Sequence, residues 1–195
     1  GSTAPTSGTL NTNFTVSGLQ GTDAASGVTL SYSGATAGNL AAATVGSYTI
    51  TPSALTLSSG STSNYSITYS TGTLTVNTVA LTITGISISN KTYNGNTTAT
   101  ITGTAAYSGL VNGETFTVTG TPSASFADAN IGTGKSVTVT GYTAPSSNYS
   151  ITQPTGLTAN ITAASLTVTA SAQSKSYGST APTSGTLNTN FTVSG

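Results

Sequence analysis

An apolar residue at every second position, with threonine or serine between, recurs along this chain. It is seen in Leu55-Thr-Leu57, Tyr65-Ser-Ile67-Thr-Tyr69, Leu74-Thr-Val76, Leu81-Thr-Ile83, Phe116-Thr-Val118, Val137-Thr-Val139 and Leu166-Thr-Val168. A period of two places such residues on one face of an extended strand and the hydroxyls on the other. Threonine suits this arrangement, because its branched Cβ favours strands while its hydroxyl meets water. Turn residues punctuate the runs, at Ser33-Gly34, Ser59-Gly60, Asn94-Gly95, Asn112-Gly113, Gly132-Thr-Gly134 and Ala144-Pro145. Short strands between closely spaced turns predict an all-β chain of tandem small β-sandwich (Ig-like) domains in a rod. The alternative is a β-grasp-like fold with a short helical turn near 39–44, where the sequence reads NLAAAT.

Composition excludes several functions. Only 3% of the 195 residues are charged: Lys91, Lys135, Lys175, Asp23, Glu114 and Asp128. Net charge is zero, so no basic patch exists to hold nucleic acid or an anionic membrane surface. No apolar run approaches the roughly 18 residues of a membrane span. Histidine and cysteine are absent. Acid–base and nucleophilic catalysis need convergent titratable groups, so no enzyme, cofactor or metal site is expected from three scattered acids. Asp23, two residues after Gly21, and Glu114, directly after Gly113, are expected to accept backbone N–H bonds in turns. Lys91 and Lys175 precede turns and are expected to point to solvent.

Residues 178–195 repeat residues 1–18 letter for letter, GSTAPTSGTLNTNFTVSG, a period of 177. The chain reads as a window of slightly more than one period of a tandem array. Within that period the order of landmarks recurs. Lys91-Thr-Tyr93-Asn94-Gly95 parallels Lys175-Ser-Tyr177-Gly178, and Gly109-Leu-Val-Asn-Gly-Glu114 parallels Gly18-Leu-Gln-Gly-Thr-Asp23. Ile131-Gly132 parallels Val45-Gly46, and Asn148-Tyr149-Ser-Ile-Thr152 parallels Asn64-Tyr65-Ser-Ile-Thr68. Three segments follow: 1–79, a domain lacking its first strand; 80–164, a complete domain; and 165–195, the start of the next copy of the first.

These landmarks resemble two domain families of large bacterial surface proteins. Residues 80–164 are similar to a YDG domain, with Lys91-Thr-Tyr93-Asn94-Gly95 at its signature, where Asn94 replaces the usual Asp, and Phe126-Ala-Asp-Ala-Asn-Ile-Gly132 at its second block. The other domain resembles an MBG domain of the Tyr-Gly-x type. Tyr177-Gly178-Ser-Thr-Ala181-Pro182 marks its start, with Ala181 in place of Asp, followed by Gly46-Ser-Tyr48 and Asn64-Tyr65. The resemblance implies an extracellular repeat region of filamentous-haemagglutinin-like adhesins, without catalysis.

The candidate site residues are therefore turn and anchor positions: Tyr93, Asn94, Gly95, Tyr177, Gly178, Asn64, Tyr65, Asn148, Tyr149, Gly46 and Gly132. Gly95 and Gly178 stand where a reversal needs positive φ. Tyr65 and Tyr149 are expected to bury their rings and bond their hydroxyls at the rim. Neither joint, Leu74 to Ile83 nor Ala159 to Val168, contains Gly or Pro, so strand should run almost directly into strand, and the array should be stiff. The expected role is the shaft of a secreted or cell-surface adhesin, an extracellular filament or a biofilm-matrix fibre; the alternative is a glycan- or surface-binding module. Expected partners are neighbouring repeats of the same chain. Lateral self-association is favoured by strand edges with few charges, and glycans are a further possible partner.

Overall fold

The computed structural model describes residues 3–181, 183–185 and 189–195; Pro182 of the Tyr-Gly-x signature lies outside them. The fold is all-β, of the β-sandwich type, and the helical element among the described residues is a single 3-10 turn at Thr62–Asn64. The chain forms two compact units. One comprises Gly1–Thr84, Ala105–Gly120 and Tyr142–Thr152; the other comprises Gly85–Thr104, Thr121–Gly141 and Gln153–Gly195.

In the first unit, β1 (Ser7–Gly8), β2 (Ala24–Tyr32), β3 (Gly46–Ser59) and β4 (Gly72–Val76) form an antiparallel sheet in that order. Ala25, Val28, Leu30 and Tyr48 are buried. The buried set changes phase where the β2–β3 register shifts between Ala25 and Thr29, as expected of a bulge. Residues 39–44 are not helical. They make successive turns, closed by the Leu40 N–H on the Ala37 carbonyl and the Ala43 N–H on the Leu40 carbonyl, each at 3.0 Å. Six residues cannot offset the cost of helix nucleation without a face to bury.

Eight further strands cover residues 79–162. They are β5 (Val79–Ile88), β6 (Lys91–Thr92), β7 (Thr98–Ala99), β8 (Ile101–Ser108), β9 (Thr119–Phe126), β10 (Gly132–Thr143), β11 (Tyr149–Thr152) and β12 (Thr158–Thr162). They form one sheet ordered β6-β12-β10-β9-β7 and another ordered β11-β5-β8. The first two strands lie parallel to the last two: β5 to β11 with Leu81 opposite Ile151, and β6 to β12 with Lys91 opposite Ile161. Leu81 and Val139 are the most completely enclosed side chains.

Two long strands change face at glycines. β5 buries Leu81 and Ile83, but beyond Gly85 (φ +78°) the inward positions become Ile86 and Ile88. β10 buries Val137 and Val139, then Tyr142 beyond Gly141 (φ +95°). A Cβ at Gly85 would strike the Thr104 carbonyl oxygen, and one at Gly141 that of Thr121. The bends thus need both the left-handed backbone and the missing side chain.

The Val76 end of β4 is separated from β5 by Asn77 and Thr78 alone. After β12, residues 163–166 lead to β13 (Thr167–Ala170), which pairs antiparallel with β14 (Phe191–Ser194). Two alternating runs are not strands. Phe116-Thr-Val118 runs as a loop, its Phe116 ring set edge-on to Tyr149 at 6.2 Å and 74°. Tyr65–Tyr69 has no ladder partner, although its twin at Tyr149–Thr152 is a strand.

Candidate functional site

The two Asn-Tyr landmarks build the same anchor twice. Tyr149 is buried; its hydroxyl donates to Glu114 Oε2 at 2.7 Å and accepts the Val111 N–H at 3.2 Å. Tyr65 donates to Asp23 Oδ2 at 2.6 Å and accepts the Gln20 N–H at 3.1 Å. In both, the acid closes a turn on the same residue whose N–H the tyrosine accepts: Glu114 N–H on the Val111 carbonyl (3.0 Å), Asp23 N–H on the Gln20 carbonyl (3.1 Å). Each loop that opens on Gly-Leu and ends on the acid, Gly18–Asp23 and Gly109–Glu114, is thus pinned to the segment bearing its tyrosine.

This corrects the expectation that the acids serve backbone N–H groups, because a phenol donates a stronger, shorter bond to a carboxylate. Recurrence of acid and Asn-Tyr together in both halves is the sequence signal that could have paired them. Burial, then the bond to Glu114, raises the Tyr149 pKa above its usual value; for Tyr65 the bond to Asp23 is the chief cause. Tyr65 is only half-buried, unlike Tyr149.

Asn148 ties three segments together. Its Oδ1 accepts the Val45 N–H at 3.0 Å, its carbonyl accepts the Val79 N–H at 3.0 Å, and its own N–H reaches Ser146 Oγ at 3.3 Å. Asn112, which sequence reasoning saw only as a turn residue, donates from Nδ2 to the Ala41 carbonyl at 2.9 Å. Val45, Leu74, Val76, Val79, Val111 and Tyr149 help line a cleft of about 340 Å³ between these segments. Asn64 is exposed and closes the 3-10 turn through its N–H on the Ser61 carbonyl at 3.1 Å.

The remaining landmarks are spread over turns. Asn94 Oδ1 accepts the Asn96 N–H at 3.4 Å, and Gly95 (φ +78°) follows. Tyr93 is exposed, its N–H held by the Thr162 carbonyl at 2.8 Å. Gly178 (φ +83°) reverses the chain beside a fully exposed Tyr177. Gly46 opens β3 and Gly132 opens β10.

Lys91 does not point freely to solvent. Its Nζ donates to the Asn96 carbonyl (2.8 Å), Asn96 Oδ1 (2.9 Å) and the Thr98 carbonyl (3.1 Å), and lies 5.7 Å from the Phe126 ring centroid. A strongly hydrated ammonium leaves water only for several oxygens at once, which this loop offers. Lys175 is exposed, with Nζ 3.3 Å from the Ser179 carbonyl. Lys135 pairs with Asp128, and that bond, followed by the Asn130 N–H, lowers the Asp128 pKa. Among the described residues no three His, Cys, Asp or Glu side chains come together.

A second concavity of the first unit is a groove of about 610 Å³. Phe14–Gly18 and Tyr65–Gly72 line it, together with Val28, Leu30 and Ile50. Apart from the isolated bridge at Phe14, neither Phe14–Gly18 nor 65–71 is in a strand; Gly72 opens β4.

Against this geometry, residues 2–75 match the family model of the MBG domain (YGX type), and residues 77–156 match that of the YDG domain. Residues 2–156 thus carry an MBG domain followed by a YDG domain. No curated protein and no solved structure matches it. The MBG match holds the Tyr65–Asp23 anchor and the groove; the YDG match holds the Tyr149–Glu114 anchor. MBG and YDG domains are typical of extracellular proteins and consistent with a surface, adhesin-like repeat module. No helix among the described residues is long and apolar enough to cross a membrane.

Proposed function

We propose that this MBG–YDG pair is a structural repeat: one link in the stiff shaft of a secreted bacterial adhesin or extracellular filament. In this reading it performs no chemistry and needs no cofactor. Its neighbours are copies of itself. The observation that carries the reading is the joint between the two matched domains. Two residues connect β4 to β5, and Asn148 and Asn112 reach back from the YDG match to Val45 and Ala41 of the MBG match. A flexible linker would instead be long and rich in Gly or Ser. The 18-residue identity at a period of 177 supports repetition of the unit.

Small-angle scattering on chains of one, two and three units tests this. A shaft gains a constant length per unit, so the radius of gyration rises nearly linearly with unit number. Growth with the square root of unit number would mark freely hinged beads and end the proposal. Secretion and lateral association of shafts extend the same reading, supported by the domain types and the nearly uncharged surface.

A further inference from the structure

Identical sequences in this chain adopt different structures, and each difference lies beside the groove. Phe14-Thr-Val-Ser17 is not a strand beyond an isolated bridge at Phe14, whereas the same four residues at Phe191–Ser194 form β14. Asn64-Tyr-Ser-Ile-Thr68 is not a strand, whereas Tyr149–Thr152 of the identical pentapeptide forms β11. What separates the members of each pair is a partner. β14 has β13 beside it, and β11 has β5.

β13 and β5 are also counterparts. Leu81-Thr-Ile83 aligns with Leu166-Thr-Val168. Yet Leu81 is 0% exposed, while Leu166 and Val168 are 70% and 62% exposed. The chain therefore holds a groove lined by two segments without ladder partners and, elsewhere, a strand of matching sequence whose apolar face is uncovered.

We infer that the groove is the seat of Leu166–Ala170 contributed by a second copy of this sequence, the copy preceding it in a tandem chain. Both registers follow from pairings already present. Transferring the β5–β11 register sets Ile67 opposite Leu166 and Thr68 opposite Thr167, in parallel. Transferring the β13–β14 register sets Val16 opposite Val168 and Phe14 opposite Ala170, antiparallel. The two agree: Leu166 and Val168 share one face, directed at Val28 and Leu30, and the threonines share the other. The donor's residues after Tyr177 raise no conflict. They are identical to the acceptor's residues 1–18, so one stretch serves as both. The inference is independent of shaft stiffness; a hinged array would still need its grooves filled.

A two-copy chain, residues 1–177 followed by 1–195, tests it. The sequence contains no cysteine, so introduced pairs report cleanly. Leu166→Cys in the leading copy with Ile67→Cys in the trailing copy should form a disulfide, because paired positions on one face meet its geometric needs. Leu166→Cys with Ser66→Cys should not, since those side chains leave the sheet on opposite faces. Amide exchange at 65–69 should be fast in the single chain and slowed at least tenfold in the trailing copy. Leu166→Asp with Val168→Asp in the leading copy should return that exchange to the single-chain rate. Equal cross-linking of both cysteine pairs would overturn the inference. So would protection of 65–69 already present in the single chain, or protection that survives the aspartates.

Discussion

Tyr149 Oη lies 2.7 Å from Glu114 Oε2, and the half-buried carboxylate thereby gains a donor in a place where water is scarce. The same hydroxyl takes the Val111 N–H, so one oxygen serves both a charge and a backbone donor. Tyr149→Phe leaves both without that partner at nearly unchanged shape. Urea unfolding should show a loss of about 1–3 kcal/mol, the cost of stranding buried polar groups. Tyr65→Phe should lower stability less, because its site stands open to water; equal losses would show the two anchors to be equivalent.

Alkaline titration should expose the same anchors. Both phenols have pKa values above the ordinary value of 10.0. Above pH ~10 the unfolded chain therefore releases these protons before the folded chain does. The folded state then binds more protons, so stability falls as pH rises through the folded pKa values and is intact below pH ~10. Melting temperature followed from pH 8 to 11.5 should decline, and Tyr65→Phe/Tyr149→Phe should flatten that decline.

Asp128 has the opposite sign. Lys135 holds its carboxylate below the ordinary range, so the pair stabilises the fold at neutral pH, and that contribution is lost as pH falls through the lowered pKa. Asp128 is exposed, so salt should weaken the effect. Asp128→Asn should remove the corresponding part of the acid sensitivity between pH 5 and 2 and reduce the dependence of stability on ionic strength.

Glycine at the strand bends is required twice over. Gly141→Ala places a Cβ on the Thr121 carbonyl oxygen at a left-handed φ, and Gly85→Ala does so against Thr104. The backbone conformation alone should cost about 1–3 kcal/mol, with the clash added. Gly95→Ala shares the positive φ but meets open space, so it should cost less. Equal losses at all three would remove the steric part of the argument.

Leu81 and Leu166 occupy equivalent sequence positions but should respond differently. Leu81→Ala should destabilise by about 2–5 kcal/mol as a buried truncation. Leu166→Ala should leave the single chain within about 0.5 kcal/mol of the parent. Thermal melts of both variants check this.

The sequence by itself determined that the chain is β-structured, where most strands lie, and that its landmarks recur in one order. These follow from local chemistry: alternation fixes a face, and Asn-Gly or Gly fixes a reversal. The anchors were legible in part. Asn-Tyr and the acid were visible separately, but their contact spans 42 residues in one half and 35 in the other. Local rules do not reach that far. Bends at Gly85 and Gly141 likewise depend on which carbonyl lies across the strand. Tertiary structure alone decided whether a given stretch became a strand. Phe14–Ser17 and Phe191–Ser194 share every residue, and Tyr65–Thr68 and Tyr149–Thr152 do too, yet only the second of each pair is in a sheet. A strand is completed by hydrogen bonds to another segment, so its own residues make it possible and its neighbour makes it real.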